Sequence, residues 1–331
     1  MRTHFSDDLL WLPFVVSFYI GVTGDRSILD EVTPFLEARE LMPGEDDSYL
    51  QPRISAETAT VLEHCARTID RSLKVGRHGL PLMGSGDWND GMNRVGYQGQ
   101  GESVWVAWFL LAVLKDLIPF CDRPEFKERV ASYEAHLKEL KSAVEANAWD
   151  GDWYRRAYFD DGTPLGSAGN KECRIDSIAQ SWAVLSGAGD SQRSARAMAA
   201  VDVHLIHRGD GLVKLFMPPF DKGLTDPGYI KGYVPGVREN GGQYTHAAIW
   251  VIQALAQLDE PQRRLAPGDD GVHAGAVAVV RAHAAVAIAV QGGGVTASPA
   301  VPFTGDQIDE CGVFLRCELP ASLQLLMLKC H

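Results

Sequence analysis

Apolar residues recur every three or four positions along most of the first part of the chain, the spacing of helices that bury one face. The first such run follows Ser6 or Asp7, either of which can cap a helix, and it stops near Gly24. The next runs predict one helix from about Ser27 to Glu40 and another from about Ser55 to Val75.

The helix predicted from Ser55 places Glu57 in its first turn and its apolar residues on one face. These apolar residues are Val61, Leu62, Cys65 and Ile69. Downstream, a strongly apolar helix is predicted from Glu102 to about Phe120, and Pro124 opens an amphipathic helix. Three further helices are predicted over Asp176–Leu185, Asp190 to about Leu205, and Gln243–Leu258.

Long loops rich in glycine and proline separate these helices, and they cover 79–101, 149–170 and 209–242. The segment 149–170 pairs aromatic residues with Asp-Gly turns, which predicts short strand pieces. About eight helices with few strands indicate an all-α fold, an incomplete array of helical hairpins such as an α/α barrel or toroid.

The chain changes character near Pro261, where it becomes rich in alanine, valine and glycine. Its turn and cap signals no longer fit the pattern upstream. We therefore predict two regions: a partial helical catalytic domain over 1–260, and a tail over 261–331 that is diverged or frame-shifted.

Composition narrows the class of protein. The net charge of −12 argues against a surface for nucleic acid or anionic lipid. The six cysteines are scattered, without metal-type spacing, and are expected to be free buried thiols in a reducing cytoplasm. No P-loop and no dinucleotide fingerprint occurs, so no cofactor and no metal is expected.

The loop 79–101 contains the most informative residues, because Trp88 lies between two carboxylates, Asp87 and Asp90. Sugar sites combine an aromatic face, which stacks on a pyranose ring, with carboxylates that bond its hydroxyl groups. A carboxylic acid beside an indole and a second carboxylate has a raised pKa and donates protons near neutral pH. The alternative is a plain turn, since Gly, Asp and Asn are all turn formers.

Two long motifs resemble glycoside hydrolase family 94, which contains cellobiose, chitobiose and 1,2-β-oligoglucan phosphorylases. The first is Gly79-Leu80-Pro81-Leu82-Met83-Gly84-Ser85-Gly86-Asp87-Trp88-Asn89-Asp90-Gly91-Met92-Asn93, followed by Gly101-Glu102-Ser103-Val104-Trp105. The second runs from Asp226 through Tyr233, Arg238 and Glu239 to His246. The resemblance covers residues 1 to about 258 and is closest to the phosphorylase-like region of cyclic β-1,2-glucan synthases.

The resemblance implies an (α/α)6 barrel that catalyses inverting phosphorolysis of β-glucosides, in this branch β-1,2-glucan oligosaccharides. Inorganic phosphate, a co-substrate rather than a cofactor, attacks the anomeric carbon and α-glucose 1-phosphate is released. An inverting hydrolase needs an acid and a base about 6.5–9.5 Å apart. A phosphorylase needs the acid and a clamp that holds the phosphate in line.

The family's site residues carry over by motif position. Asp90 matches the general acid and Trp88 the aromatic residue beside the scissile bond. His246 matches a histidine that contacts phosphate. Arg2 and Asp8 match residues that hold the donor glucose, Tyr233 and Arg238 fall on the acceptor side, and Asp87 and Glu239 take supporting roles.

Other interpretations stay open. His246 is also compatible with a core or capping histidine, and Arg238 with a solvated charge. Glu239 is the one candidate base for an inverting hydrolase on the same fold, which phosphate dependence would separate from a phosphorylase. A third interpretation is a fragment that binds sugar without catalysis.

The sequence departs from the family pattern at both ends. The family's N-terminal β-sandwich and first barrel helices have no counterpart, and Thr304-Gly305 lacks the context of the family's phosphate-binding Thr-Gly pair. We therefore expect the isolated chain to be weakly active or inactive, and to work as part of a larger membrane-bound synthase. A phosphate clamp that lacks some of its hydrogen-bond donors would stabilise the transition state less, by several kcal/mol.

Overall fold

The computed structural model describes residues 2–42 and 44–264. Seven α-helices and eleven short strands occur within these residues. The helices are α1 (Trp11–Thr23), α2 (Val61–Ser72), α3 (Val104–Leu117), α4 (Lys127–Asn147), α5 (Ser177–Leu185), α6 (Ser191–His204) and α7 (Thr245–Arg264). The strands are β1 (Arg2–Thr3), β2 (Val32–Glu37), β3 (Asp47–Ser48), β4 (Arg53–Thr60), β5 (Glu102–Ser103), β6 (Ala157–Tyr158), β7 (Pro164–Leu165), β8 (Ile175–Asp176), β9 (Ile206–His207), β10 (Leu212–Val213) and β11 (Phe216–Met217).

Helix α3 is the centre of the fold. Every side chain from Val104 to Leu117 is buried except Lys115 and Asp116, which agrees with a sequence that is apolar on all sides. Its first turn is capped by Ser103, whose hydroxyl accepts a hydrogen bond of 3.1 Å from the amide of Val106. Helices α1, α4 and α5 pack around it, and α5 also packs against α7.

An aromatic cluster joins α1, α3, α5 and α7 at the core. The ring of Trp105 lies 5.4 Å from Phe109, 6.1 Å from Trp182 and 6.0 Å from Trp250. Trp11 lies 4.6 Å from Phe109 on the other side. The pairs range from stacked to edge-to-face, and centroid separations of this size are typical of favourable aromatic packing, so these rings hold four helices together.

Most of the predicted helices are confirmed, and their ends have physical causes. Gly24 ends α1 with a left-handed backbone at φ 72°. The predicted buried face of α2 is correct, since Val61, Leu62, Cys65 and Ile69 are all buried. Pro124 begins a short 3-10 turn that leads into α4, and the Asp-Gly segment forms a bridge between Trp149 and Tyr154.

The helix predicted over Ser27–Glu40 is wrong. A 3-10 turn over Arg26–Asp30 is followed by β2, which pairs antiparallel with β4. The helix predicted from Ser55 is wrong at its start, because residues up to Thr60 belong to β4 and Glu57 lies in that strand. The strand interpretation has a simple basis: β-branched residues are frequent in both segments and favour an extended backbone.

Two caps also differ from the prediction. Thr60 caps α2 by accepting a hydrogen bond of 3.2 Å from the amide of Glu63, a Thr-x-x-Glu spacing visible in the sequence. Asp7 does not cap α1; its carboxylate accepts a hydrogen bond of 2.9 Å from the indole of Trp11, and a 3-10 turn, Asp8–Leu10, precedes the helix.

Three of the cysteines, Cys65, Cys121 and Cys173, are free and buried as predicted, and the other three lie outside the described residues. The predicted tail lies almost entirely outside them as well. Over the described part of the chain, no helix combines the length and the hydropathy that a membrane crossing requires.

We expect Trp105→Ala to lower the free energy of unfolding by about 3–5 kcal/mol, because it removes a fully buried ring from a close-packed cluster. Urea denaturation of the purified chain measures the change. Val203→Ala is the control, since this side chain is 75% exposed and should change stability by less than about 0.5 kcal/mol. Equal losses in the two variants would contradict the placement of Trp105 at the core.

Candidate active site

A buried arginine holds the centre of the loop 79–101. Both carboxylate oxygens of Asp87 accept hydrogen bonds from Arg156, at 2.7 Å and 2.6 Å, and the hydroxyl of Ser103 donates a further bond of 2.7 Å. Arg156 Nε also lies 3.3 Å from the carboxylate of Asp176, which caps α5. Burial opposes the charge on Arg156, but the two carboxylates outweigh it and hold the pKa of the guanidinium above its usual range.

The N-terminal segment crosses the first half of this loop. The amide of Ser6 donates a hydrogen bond of 3.0 Å to the carbonyl of Gly86, and Phe5 forms a bridge with Gly84. Gly84 has φ 64°, and a Cβ atom there would lie 2.5 Å from the carbonyl oxygen of His4, so the crossing requires glycine. This crossing brings Asp8 within electrostatic reach of Asp90.

Asp90 begins a 3-10 turn, Asp90–Met92, that follows the residues held by Arg156 and by the N-terminal segment. Its side chain is reached by solvent and is surrounded by protein on its other sides. Desolvation raises the pKa of Asp90; a hydrogen bond from the Tyr229 hydroxyl lowers it, and the charge of Glu239 raises it. The net pKa lies above the ordinary value of a carboxyl group, which is the direction that the sequence predicts for an acid.

Asp8 is a second carboxyl group on this side of the site. Desolvation raises its pKa to about 6, and Asp90 contributes in the same direction, while a hydrogen bond from the Thr3 hydroxyl opposes it. Two carboxyl groups that repel each other in this way bind a proton between them more readily than either does alone.

Trp88 and His246 are brought together by a hydrogen bond. The indole Nε1 of Trp88 donates to Nδ1 of His246 at 3.0 Å. An indole N–H is a donor only, so Nδ1 accepts and the proton of a neutral imidazole is on Nε2. Desolvation lowers the pKa of His246 to about 4, which keeps the ring neutral at neutral pH. Nε2 is buried and has no hydrogen-bond partner in the part of the chain that the structure describes.

Tyr233, Arg238 and Glu239 lie close together in the second motif. The guanidinium of Arg238 lies 4.6 Å from the ring centre of Tyr233, and its Nε lies 3.3 Å from Glu239 Oε2. Burial and the neighbouring charge of Glu239 raise the pKa of Tyr244, and its ring meets Trp88 edge-on at 5.2 Å. Arg238 has φ 53°, a conformation that costs a residue with a side chain about 1–3 kcal/mol and that clusters at functional sites.

Arg2 is directed elsewhere in this structure. Its guanidinium donates hydrogen bonds to the carbonyl oxygens of Ala38 and Arg39, at 3.1 Å and 2.6 Å, and lies 3.1 Å from Glu40. Its role in holding a donor sugar stays a prediction. Within 2–42 and 44–264, no group of three or more metal-ligating side chains is close enough to hold a metal ion.

The sequence reasoning missed Arg156 and Tyr229. Arg156 lies in the turn-rich segment 149–170, where nothing local distinguishes it from its neighbour Arg155. Tyr229 was visible as part of the second motif, in the Asp-Pro-Gly-Tyr run that begins at Asp226, but no role was assigned to it. Proline and glycine directly before an aromatic residue are a signal that its backbone is held in one place.

Comparison with known proteins identifies relatives along most of the chain. Residues 1–266 match the profile of the Glycosyl hydrolase 94 superfamily, catalytic domain. The chain is 54% identical over 263 residues to Cyclic beta-(1,2)-glucan synthase NdvB of Rhizobium meliloti (strain 1021), an alignment that covers 79% of this chain and 9% of that protein.

Two phosphorylases are more distant relatives. Solabiose phosphorylase of Paenibacillus borealis is 33% identical over 252 residues, which cover 76% of this chain and 30% of that enzyme. 1,2-beta-oligoglucan phosphorylase of Listeria innocua is 24% identical over 270 residues, which cover 77% of this chain and 23% of that enzyme. The chain thus spans less than a third of the length of these relatives.

We expect Arg156→Met to destabilise the chain by about 3–5 kcal/mol, because it leaves the buried carboxylates of Asp87 and Asp176 without their counter-charge. Arg196→Met is the matched control: its ion pair with Asp152 is exposed and should contribute less than about 1 kcal/mol. Urea denaturation of both variants provides the comparison. A loss at Arg156 no larger than at Arg196 would mean that the loop does not depend on this ion pair.

Proposed function

Because the chain belongs to the glycoside hydrolase 94 superfamily, we propose that its helical domain catalyses inverting phosphorolysis of β-glucosides, or the reverse glucosyl transfer. The observation that carries the proposal is the carboxyl group of Asp90, which is open to solvent, has a raised pKa and lies within electrostatic reach of Glu239 and Arg238. A carboxyl group in this state donates a proton near neutral pH.

In the proposed reaction, an oxygen of inorganic phosphate attacks the anomeric carbon of the terminal glucose. The bond from that carbon to the glycosidic oxygen breaks, and the Asp90 carboxyl group gives its proton to the departing oxygen. The products are α-glucose 1-phosphate and a saccharide shortened by one residue. In the reverse direction the Asp90 carboxylate takes a proton from the acceptor hydroxyl group.

His246 supplies a hydrogen-bond donor for the phosphate in this proposal. Trp88 holds the imidazole with its proton on Nε2, and desolvation keeps it uncharged. The N–H group then donates to an anionic oxygen without a change of protonation state. Asp8 would hold the donor glucose, and Tyr233, Arg238 and Glu239 the acceptor saccharide. Asp87 supports the loop through Arg156.

The identity with a cyclic β-1,2-glucan synthase and with a 1,2-β-oligoglucan phosphorylase supports β-1,2-glucan oligosaccharides as substrate. The packing of α1, α3, α5 and α7 around one aromatic core supports an (α/α)6 barrel, of which these helices would form part. Inorganic phosphate is a co-substrate, and the proposed chemistry uses no cofactor. We also propose that the domain acts within a longer synthase.

We expect Asp90→Asn to lower glucosyl transfer by about 10²–10⁴-fold, because an amide cannot exchange the proton. The assay measures phosphate release from α-glucose 1-phosphate with sophorose as acceptor. Asp122→Asn, on the exposed surface, is the control and should leave the rate unchanged. Turnover that persists in folded Asp90→Asn would refute the proposed acid.

A second assay, of β-1,2-glucan degradation with and without phosphate, separates the phosphorylase from the inverting hydrolase in which Glu239 would be the base. Release of glucose from β-1,2-glucan without added phosphate, abolished by Glu239→Gln, would favour the hydrolase. Degradation that requires phosphate and yields α-glucose 1-phosphate supports the phosphorylase. Binding of sugar with no turnover under either condition would favour a carbohydrate-binding fragment.

We expect His246→Ala to raise the KM for phosphate by about 10–100-fold, because one hydrogen bond to a charged ligand is lost. The KM for the saccharide should change little. His136→Ala is the control, since this half-buried histidine lies on α4 and contributes to no contact of the site. Initial rates at varied phosphate concentration give both constants, and equal effects on the two substrates would contradict a phosphate-specific role.

A further inference from the structure

The second motif is docked tightly onto the turn that carries Asp90. The amide of Arg94 donates a hydrogen bond of 3.1 Å to the carbonyl of Pro227, and the amide of Tyr229 donates one of 3.2 Å to Oδ1 of Asn93. The backbone on both sides of Gly228 is therefore bonded to the residues that directly follow the Asp90 turn.

Gly228 makes this docking close. Its φ is 121°, and a Cβ atom would overlap Oδ1 of Asn93 and lie 2.8 Å from the carbonyl oxygen of Gly91. Gly91 is equally restricted, because a Cβ atom there would lie 2.9 Å from Cβ of the fully buried Ile230. Because Gly228 and Gly91 have no side chains, the two segments approach closely, and the backbone of Tyr229 has a defined position relative to the Asp90 turn.

We propose that Tyr229 is a positioning residue for Asp90: its hydroxyl group donates a hydrogen bond to one carboxylate oxygen and leaves the other free to exchange a proton with the glycosidic oxygen. This inference rests on the proposed function. The Tyr229 hydroxyl lies close enough to the Asp90 carboxyl group to lower the pKa of Asp90, and the Tyr229 ring meets Tyr233 edge-on at 6.1 Å.

Tyr229 is suited to be a permanent donor. Burial and the neighbouring charge of Asp90 hold the pKa of its phenol above the usual range, so the hydroxyl keeps its proton. A donor that bonds the ionised carboxylate stabilises the ionised form. Tyr229 thus opposes burial, which favours the protonated form of Asp90.

The other groups that act on Asp90 come from two segments. Asp8 lies in the N-terminal segment, and Arg238, Glu239 and Tyr244 lie in the second motif. Glu239 and Asp8 carry like charges and favour protonated Asp90, whereas Arg238 favours the carboxylate. Tyr229 acts on Asp90 through a neutral hydroxyl group, so removing this hydroxyl group does not change the net charge of the site.

The two directions of the reaction need opposite states of Asp90. Phosphorolysis starts from the protonated acid, and its rate falls as pH rises through the Asp90 pKa. Glucosyl transfer starts from the carboxylate, and its rate falls as pH drops through the same pKa. Without the Tyr229 hydrogen bond the pKa of Asp90 rises, so both limbs move to higher pH together.

The test compares Tyr229→Phe with the unaltered chain. Phenylalanine keeps the ring and removes the hydroxyl group. Tyr97→Phe, at an exposed tyrosine outside the site, is the matched control. The titration of Asp90 is followed directly by NMR of protein labelled with 13C at the aspartate carboxyl groups, and Asp90→Asn identifies the signal. This measurement needs no turnover.

We expect the Asp90 signal in Tyr229→Phe to titrate at higher pH, with its protonation equilibrium changed by about tenfold or more, as is usual for a hydrogen bond to a charged group. Tyr97→Phe should titrate like the unaltered chain. An Asp90 titration that is unchanged, or shifted to lower pH, in Tyr229→Phe overturns the proposal.

Kinetic profiles give a second test. The alkaline limb of phosphorolysis and the acid limb of glucosyl transfer should both move upward in Tyr229→Phe. A rate lowered equally at every pH, with both limbs in place, would show that Tyr229 only packs and would also overturn the proposal. Failure of the proposed function is distinguishable, since it appears as turnover that survives Asp90→Asn.

Discussion

The buried ion pair of Arg156 with Asp87 and Asp176 is the constraint on which the rest of the site depends. Its guanidinium joins three parts of the chain: the loop 79–101, the segment that leads into β6, and the start of α5. A charge buried this deeply costs several kcal/mol unless its partners are well aligned, so the three parts are held in a single arrangement. Trp88 and Asp90 closely follow Asp87 in the chain, so the ion pair also restrains their positions.

Two carboxyl groups three residues apart therefore have different surroundings. Asp87 is fully buried and its oxygens are occupied by Arg156 and Ser103, so its position is fixed. Asp90 is open to solvent and is bonded by the neutral hydroxyl of Tyr229. The proposed proton transfer requires a group whose two states are close in free energy, and the raised pKa of Asp90 is in the direction that this requires. Trp88, which lies between them in the sequence, donates a hydrogen bond to His246 and fixes the tautomer of its ring.

The sequence predicted the features that arise from local patterns. The buried face of α2 and the end of α1 at Gly24 both follow from the spacing of apolar residues and from a stop signal in the sequence. The pair β2 and β4 was predicted as helix, because an apolar residue every few positions fits both structures when β-branched content is overlooked. Arg156 was out of reach for a different reason: it is 69 positions from Asp87, and only tertiary folding brings the two together.

The contact at Gly228 holds together two motifs that lie far apart in the sequence. Pro227 and Asn93 bond across the contact, and glycine on each side removes the space in which the segments could shift. A displacement of the second motif would therefore move Tyr229 and Glu239 relative to Asp90 at the same time. Burial raises the pKa of Asp90, and Tyr229 lowers it while Glu239 raises it, so the acid strength of Asp90 depends in part on the distances to these two residues. The geometry of the contact and the proton affinity of the acid are consequently coupled.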